Sequence, residues 1–143
     1  MSDPRALFDL TGRVACITGA SSGLGRRAAI ALAAASAQVV GVARRAEALD
    51  SLCAEVGKNA AAVAADIAER SKTEDVARAI AAPFGAPDIV IHAAGLNTRE
   101  AADEVTPEGW DATLAINLSA PFFLSQALVP ACLLYTSPSP RDS

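Results

Sequence analysis

The chain has 143 residues, 52% of them hydrophobic, and a formal net charge of −4. That length suffices for one domain with a core, and the apolar content argues against disorder. The acidic balance and the lack of a basic stripe exclude nucleic acid and anionic membrane as expected partners, and no apolar run reads as long enough to span a bilayer.

The opening Met1-Ser2-Asp3-Pro4-Arg5 lacks the charged-then-apolar layout of a signal peptide, so the default expectation is a cytoplasmic protein. Cys16, Cys53 and Cys132 lie far apart and His92 is the only histidine, so no metal site is expected.

Strand and helix then alternate. Residues 13–18 read as a short, nearly all-apolar strand, and residues 26–35 as an Ala- and Leu-rich helix with Arg26 and Arg27 exposed. Residues 38–43 form a second strand, and residues 47–56 a helix ended by Gly57. Residues 60–65 form a third strand. Residues 73–82 form a helix with charges on one face, closed by Pro83 and Gly85. Residues 88–93 form a fourth strand. A last helix starts at Pro107 or Glu108, with Thr106 as its N-cap, and runs to Leu128. Pro121 inside it predicts a kink or interruption. Continuously apolar strands joined by helices predict an α/β fold, a doubly wound parallel sheet of the Rossmann type. The first and fourth strands should flank the switch point, with the ligand over the C-terminal strand ends.

Between the first strand and the first helix stands Thr18-Gly19-Ala20-Ser21-Ser22-Gly23-Leu24-Gly25. A glycine-rich turn that opens a helix aims unpaired backbone N–H groups and the positive end of the helix dipole at one point. Glycine removes the Cβ that would keep a phosphate away. The same glycines can also make an ordinary turn. Their spacing is Gly-x-x-x-Gly-x-Gly rather than Gly-x-Gly-x-x-Gly. The second strand ends in Ala43-Arg44-Arg45, with no acid to accept hydrogen bonds from ribose hydroxyls. An arginine there can pair with a 2′-phosphate; alternatively, both arginines merely cap a solvated loop.

This glycine spacing after Thr18, with Asp66-Ile67 after the third strand, Ala94-Gly95 after the fourth, and Asn117 ahead of Ala120-Pro121-Phe122-Phe123, resembles the short-chain dehydrogenase/reductase family. The resemblance covers roughly residues 7–131, the first half of a family member. It implies an oxidoreductase that moves hydride between a nicotinamide and a carbonyl or secondary alcohol. The expected cofactor is NADP, with NAD as the alternative, because Ala43 stands where NAD-preferring members carry Asp and Arg44 follows. A small-molecule substrate and a homo-oligomer are also implied. Gly19, Ser21, Ser22, Gly23, Leu24, Gly25, Arg44, Asp66, Ile67, Ala94 and Gly95 would bind the adenosine and pyrophosphate. Within that set Asp66 would meet the adenine amino group, though a loop or capping role fits it too. Asn117 is the one member of the family's catalytic set present. In the family that Asn breaks the local helix and holds a water linked to the catalytic Lys; a buried Asn can also be structural. His92-Ala93 departs from the family's Asn-Asn, and His92 is expected to be structural. Trp110, Phe122 and Phe123 are expected to be core or interface packing.

Complete members carry a Ser and a Tyr-x-x-x-Lys pair later in the chain. Here Tyr135 is the only tyrosine, Ser139 stands four residues on, and no lysine follows Lys72, so no useful turnover is expected. The segment from Cys132 to Asp142 resembles one frame of a translated sequencing adaptor. Residues 1–131 are therefore expected to be the N-terminal part of a dinucleotide-binding domain, truncated after the fourth strand and its following helix. Residues 132–143 would be a non-native or disordered tail, the alternative being a genuine Ser/Pro-rich terminus. Two other classes stay open: a dinucleotide-binding module without catalysis, and a non-enzymatic α/β interaction domain.

Overall fold

The computed structural model describes residues 3–133. Four parallel strands, β1 (Val14–Thr18), β2 (Gln38–Ala43), β3 (Ala60–Ala64) and β4 (Ile89–His92), form one sheet in the order β3-β2-β1-β4. Helices α1 (Gly23–Ala34), α2 (Ala46–Val56), α3 (Thr73–Ala81), α4 (Pro107–Leu114) and α5 (Ala120–Leu133) connect and follow them. This is the doubly wound parallel arrangement that the alternating pattern predicts, with β1 and β4 adjacent at the point where strand order reverses.

The period of two in the strands explains the layers. Ala15, Ile17 and Val39 face one way and pack with Ala29 of α1 and with Leu49 and Leu52 of α2. Cys16, Val40 and Val42 face the other way and pack with Val76 and Ile80 of α3 and with Leu124 and Leu128 of α5. All five residues of β1 are buried, as a central strand covered on both faces requires. The register aligns Thr18 with Val42 on one side and with His92 on the other, so these strands end at one level. Asp88 fixes the start of β1: its Oδ2 accepts from the Val14 N–H at 2.9 Å.

Several expectations need correction. Helix α1 starts at Gly23, three residues before the predicted position, because the extended Ser22 turns the chain directly into the helix. Arg26 is not exposed: it donates to Glu55 at 2.6 Å, to Ser51 Oγ at 3.3 Å and to the Ala48 carbonyl, tying α1 to α2. Trp110 and Phe122 are not core residues, being 59% and 61% exposed. Phe123 is half-buried, packed edge-on against Phe122 and under the Arg70 guanidinium at 4.3 Å.

The predicted interruption of the last helix takes the form of a π turn, Ala115–Ser119, between α4 and α5. An α-helical partner for the Asn117 carbonyl would be the nitrogen of Pro121, which carries no hydrogen. The Ala120 N–H reaches back to the Ala115 carbonyl, five residues away, and the helix continues. Thr106 caps its start as expected, Oγ1 accepting from the Gly109 N–H at 3.0 Å. Joined in this way, Pro107–Val129 is one stretch of 23 residues, long and apolar enough by length and composition to cross a membrane. The sequence reading that no run reaches that length is corrected accordingly. Ala120, Leu124 and Leu128 of this stretch are buried, while most of its residues are not. Helix α5 also runs through Leu133, past the end expected at Leu128 and into the first two residues of the predicted tail. The rest of the predicted tail, with Tyr135 and Ser139, lies outside the described residues.

Candidate functional site

The glycine turn is held open by contacts that leave no room for side chains. Gly19 adopts φ +69°, and a Cβ built there would lie 2.6 Å from the Ala94 nitrogen. A Cβ on Gly25 would collide with the Gly19 carbonyl, so the first turn of α1 sits directly on the end of β1. Gly23 is different. Its φ is +57°, and a Cβ there would meet nothing within 4 Å. The backbone is thus packed from behind and open in front, a shape that admits an anion to the amides at the start of α1.

In front of the turn lies a cleft of about 620 Å³. It is lined by Gly19, Ser21, Ser22, Gly23, Leu24 and Gly25 from the turn, by Arg44 and Arg45 beyond β2, by Asp66 and Ile67 beyond β3, and by Ala94 and Gly95 beyond β4. The residues singled out from sequence in the four strand-end segments therefore meet in one cavity. Ile116 from the π turn reaches the same wall. Its neighbour Asn117 is not itself a lining residue, but it acts on one: Nδ2 donates to the Leu96 carbonyl and Oδ1 accepts from the Leu96 N–H, both at 2.8 Å. Both ends of the amide are thereby used to hold the backbone that follows β4.

Two residues that the sequence reading left without a role shape the site. Thr18 is the buried polar residue of the core. Its Oγ1 accepts from the Ala94 N–H at 3.3 Å and so joins the ends of β1 and β4. A hydroxyl closing an otherwise apolar strand was the available signal. Arg45 donates from Nη2 to Ser21 Oγ at 3.4 Å, crossing from the start of α2 to the glycine turn. Asp66 spends Oδ1 on the Ala68 N–H at 3.0 Å, the loop role foreseen as an alternative, while still lining the cleft. His92 lies at the end of β4, outside this cavity, with Nε2 at 2.8 Å from Ser125 Oγ of α5. That placement supports the structural role expected for it. Partial burial lowers its pKa from the ordinary imidazole value. Among the described residues no cluster of His, Cys, Asp and Glu could hold a metal ion.

The family model for short chain dehydrogenases matches residues 13–138. The chain belongs to that family. Its sequence is 40% identical over 124 residues to D-threitol dehydrogenase of Mycolicibacterium smegmatis, covering 85% of this chain and 48% of that protein. Among solved structures, 3-ketoacyl-(acyl-carrier-protein) reductase from Brucella melitensis, complexed with NADH, superposes with a TM-score of 0.82 at 34% identity, covering 86% of this chain and 51% of the other. L-Sorbose reductase from Gluconobacter frateurii, complexed with NADPH and L-sorbose, gives 0.81 at 30% identity, with 87% and 49% covered. This short-chain dehydrogenase sequence thus spans about half the length of the relatives it matches.

Proposed function

We propose that the cleft binds a nicotinamide dinucleotide, NADP in preference to NAD, within an oxidoreductase acting on a carbonyl or secondary alcohol. The observation that carries this reading is the open cradle at Gly23, set over the start of α1, with Arg44 and no acid at the end of β2. In the cradle Ser21, Ser22, Gly23, Leu24 and Gly25 would take the pyrophosphate on backbone N–H groups and hydroxyls. Arg44 would pair with the 2′-phosphate. The free oxygen of Asp66 would accept from the adenine amino group, with Ile67 beside the ring, and Ala94-Gly95 would let the backbone pass close to the ribose. The bound cofactor would supply the hydride.

We assign Asn117 a positioning role in that chemistry, because its side chain is committed to the Leu96 backbone. The chain brings no Tyr-x-x-x-Lys pair, so it binds without turnover by itself. A dinucleotide-binding module without catalysis is the second reading, favoured by the same observation. Titration of the 143-residue chain with NADPH and NADH, followed by cofactor fluorescence, tests the proposal. Tighter binding of NADPH is expected. Tighter binding of NADH removes the assignment of Arg44, and absence of binding by the folded chain removes the cofactor reading altogether.

A further inference from the structure

We infer that the free edge of β3 is a contact surface for a second copy of this chain, the two strands pairing antiparallel about a twofold axis at Ala62. The inference is independent of the cofactor reading. Hydrogen bonds fix which backbone groups of β3 are available. The Val39 N–H donates to the Asn59 carbonyl at 2.8 Å, and the Ala65 N–H donates to the Ala43 carbonyl at 2.9 Å. Bonding in a parallel pair alternates, so residues 59, 61, 63 and 65 address β2 while residues 60, 62 and 64 address the outer edge. The Ala60 N–H is taken by the Gly57 carbonyl at 3.1 Å. The N–H groups of Ala62 and Ala64 and the carbonyls of Ala60, Ala62 and Ala64 point outward from the sheet. Ala62 and Ala64 are both exposed.

Edge strands are ordinarily blunted by a charge, a proline or a bulge. Between Asn59 and Asp66 this strand carries only alanine and valine, so nothing on it keeps another strand away. A cavity of about 530 Å³ lies between its C-terminal half, Val63 to Asp66, and Asp75, Val76 and Ala79 of α3, so that helix stands back from the edge there. The occupant follows from the symmetry of the strand itself. An antiparallel pair centred on Ala62 sets Ala62 opposite Ala62, Ala60 opposite Ala64 and Lys58 opposite Asp66, in both halves at once. Opposite charges therefore meet at each end, with methyl groups between them. The Ala62 N–H of each copy would donate to the Ala62 carbonyl of the other, and each Ala64 N–H to the other's Ala60 carbonyl. No existing bond is given up, because Ala60 only accepts in this pairing and goes on donating to Gly57. Lys58 is exposed and forms no ion pair among the described residues, so it is available to a second chain. Asp66 bonds the Ala68 N–H through Oδ1 and keeps its other oxygen, whose lone pairs serve a lysine and a further donor alike. Any displaced register parts the lysines from the aspartates, so charge selects the twofold one.

The test is sedimentation velocity of the 143-residue chain and its variants over about a hundredfold range of concentration. The wild type should form dimers toward the top of the range, since the paired strands are short. Ala62→Pro deletes an outward N–H and no bond to β2, which is where an edge strand tolerates proline. Ala62→Lys sets like charges opposite each other on the axis. Each should raise the dimer dissociation constant by roughly tenfold or more. Lys58→Glu should raise it by about three- to fivefold, and Lys58→Arg should leave it within about twofold. Far-UV circular dichroism checks the fold of each variant. Ala62→Lys changes only an exposed side chain, so it decides the question if the proline variant does not fold. Mild oxidation of Ala62→Cys should join two copies across the axis, whereas Ala64→Cys should not, because its register partner is Ala60. If the wild type stays monomeric throughout, the inference fails. If it associates and both Ala62 variants associate as strongly, another surface carries the contact and the inference fails as well. Equal joining of Ala62→Cys and Ala64→Cys would overturn the twofold pairing at Ala62.

Discussion

Single residues decide whether the cleft exists. Gly19 and Gly23 have the same kind of backbone but different surroundings, so they separate folding from binding. Gly19→Ala places a methyl group against the Ala94 backbone at a positive φ. It should cost on the order of 2–4 kcal/mol of stability, read from urea unfolding. Gly23→Ala carries only the conformational penalty, about 1 kcal/mol, and should instead weaken dinucleotide binding because its methyl group stands in the open cradle. His92 gives a pH prediction. Its folded-state pKa is lowered by burial, so the unfolded chain takes up a proton first as pH falls. Stability present above about pH 6.5 should decline as pH drops through the folded value, and His92→Gln should flatten that slope in denaturation curves taken between pH 7 and 5. The residues legible from sequence were those whose type is rare at their location: glycine in a strand-to-helix turn, arginine where an acid is common, asparagine in an apolar helix. Thr18 and Arg45 stayed unread because their partners lie 76 and 24 residues away.

At the scale of elements, the strands were the most legible part, since a parallel sheet buried on both faces demands uninterrupted apolar runs. The beginning of α1 was not legible, because glycine is a poor helix former and only the turn geometry carries Gly23-Leu24-Gly25 into the helix. Pro121 announced an interruption, but the form it takes, a π turn that keeps the helix running, depends on how Asn117 and Leu96 meet. Asn117→Ala should therefore cost about 1–3 kcal/mol, by leaving the Leu96 backbone groups without their partners. It should also raise hydrogen exchange in residues 93–98, measured by mass spectrometry. If exchange there is unchanged, the Asn117–Leu96 pair is not what orders the segment after β4.

For the whole molecule, the sheet has two edges, β3 and β4, and a long helix whose Trp110, Leu114, Leu118 and Phe122 recur at every fourth position and are all exposed. An exposed apolar stripe and unpaired strand edges each favour association. The 143-residue chain should self-associate as concentration rises, and sedimentation velocity across a hundredfold range of concentration checks this. A single monomeric species throughout would mean that the stripe is tolerated in water. Sequence indicated that aromatic residues cluster on this helix but not that they face outward, because period alone does not say which side of a helix the sheet occupies.

The junction of Thr18 and Gly19 with Ala94 has a consequence in time as well as in space. Its hydrogen bond joins groups 76 residues apart, so it can form only after β4 has been laid beside β1. Contacts this distant in sequence close slowly. A nucleotide bound as proposed would need the finished cradle and so meet only chains that have already completed the sheet. By mass action it would draw the remainder after them. Ligand concentration would then set how much of the chain is folded, and the binding site would serve as the checkpoint on its own assembly.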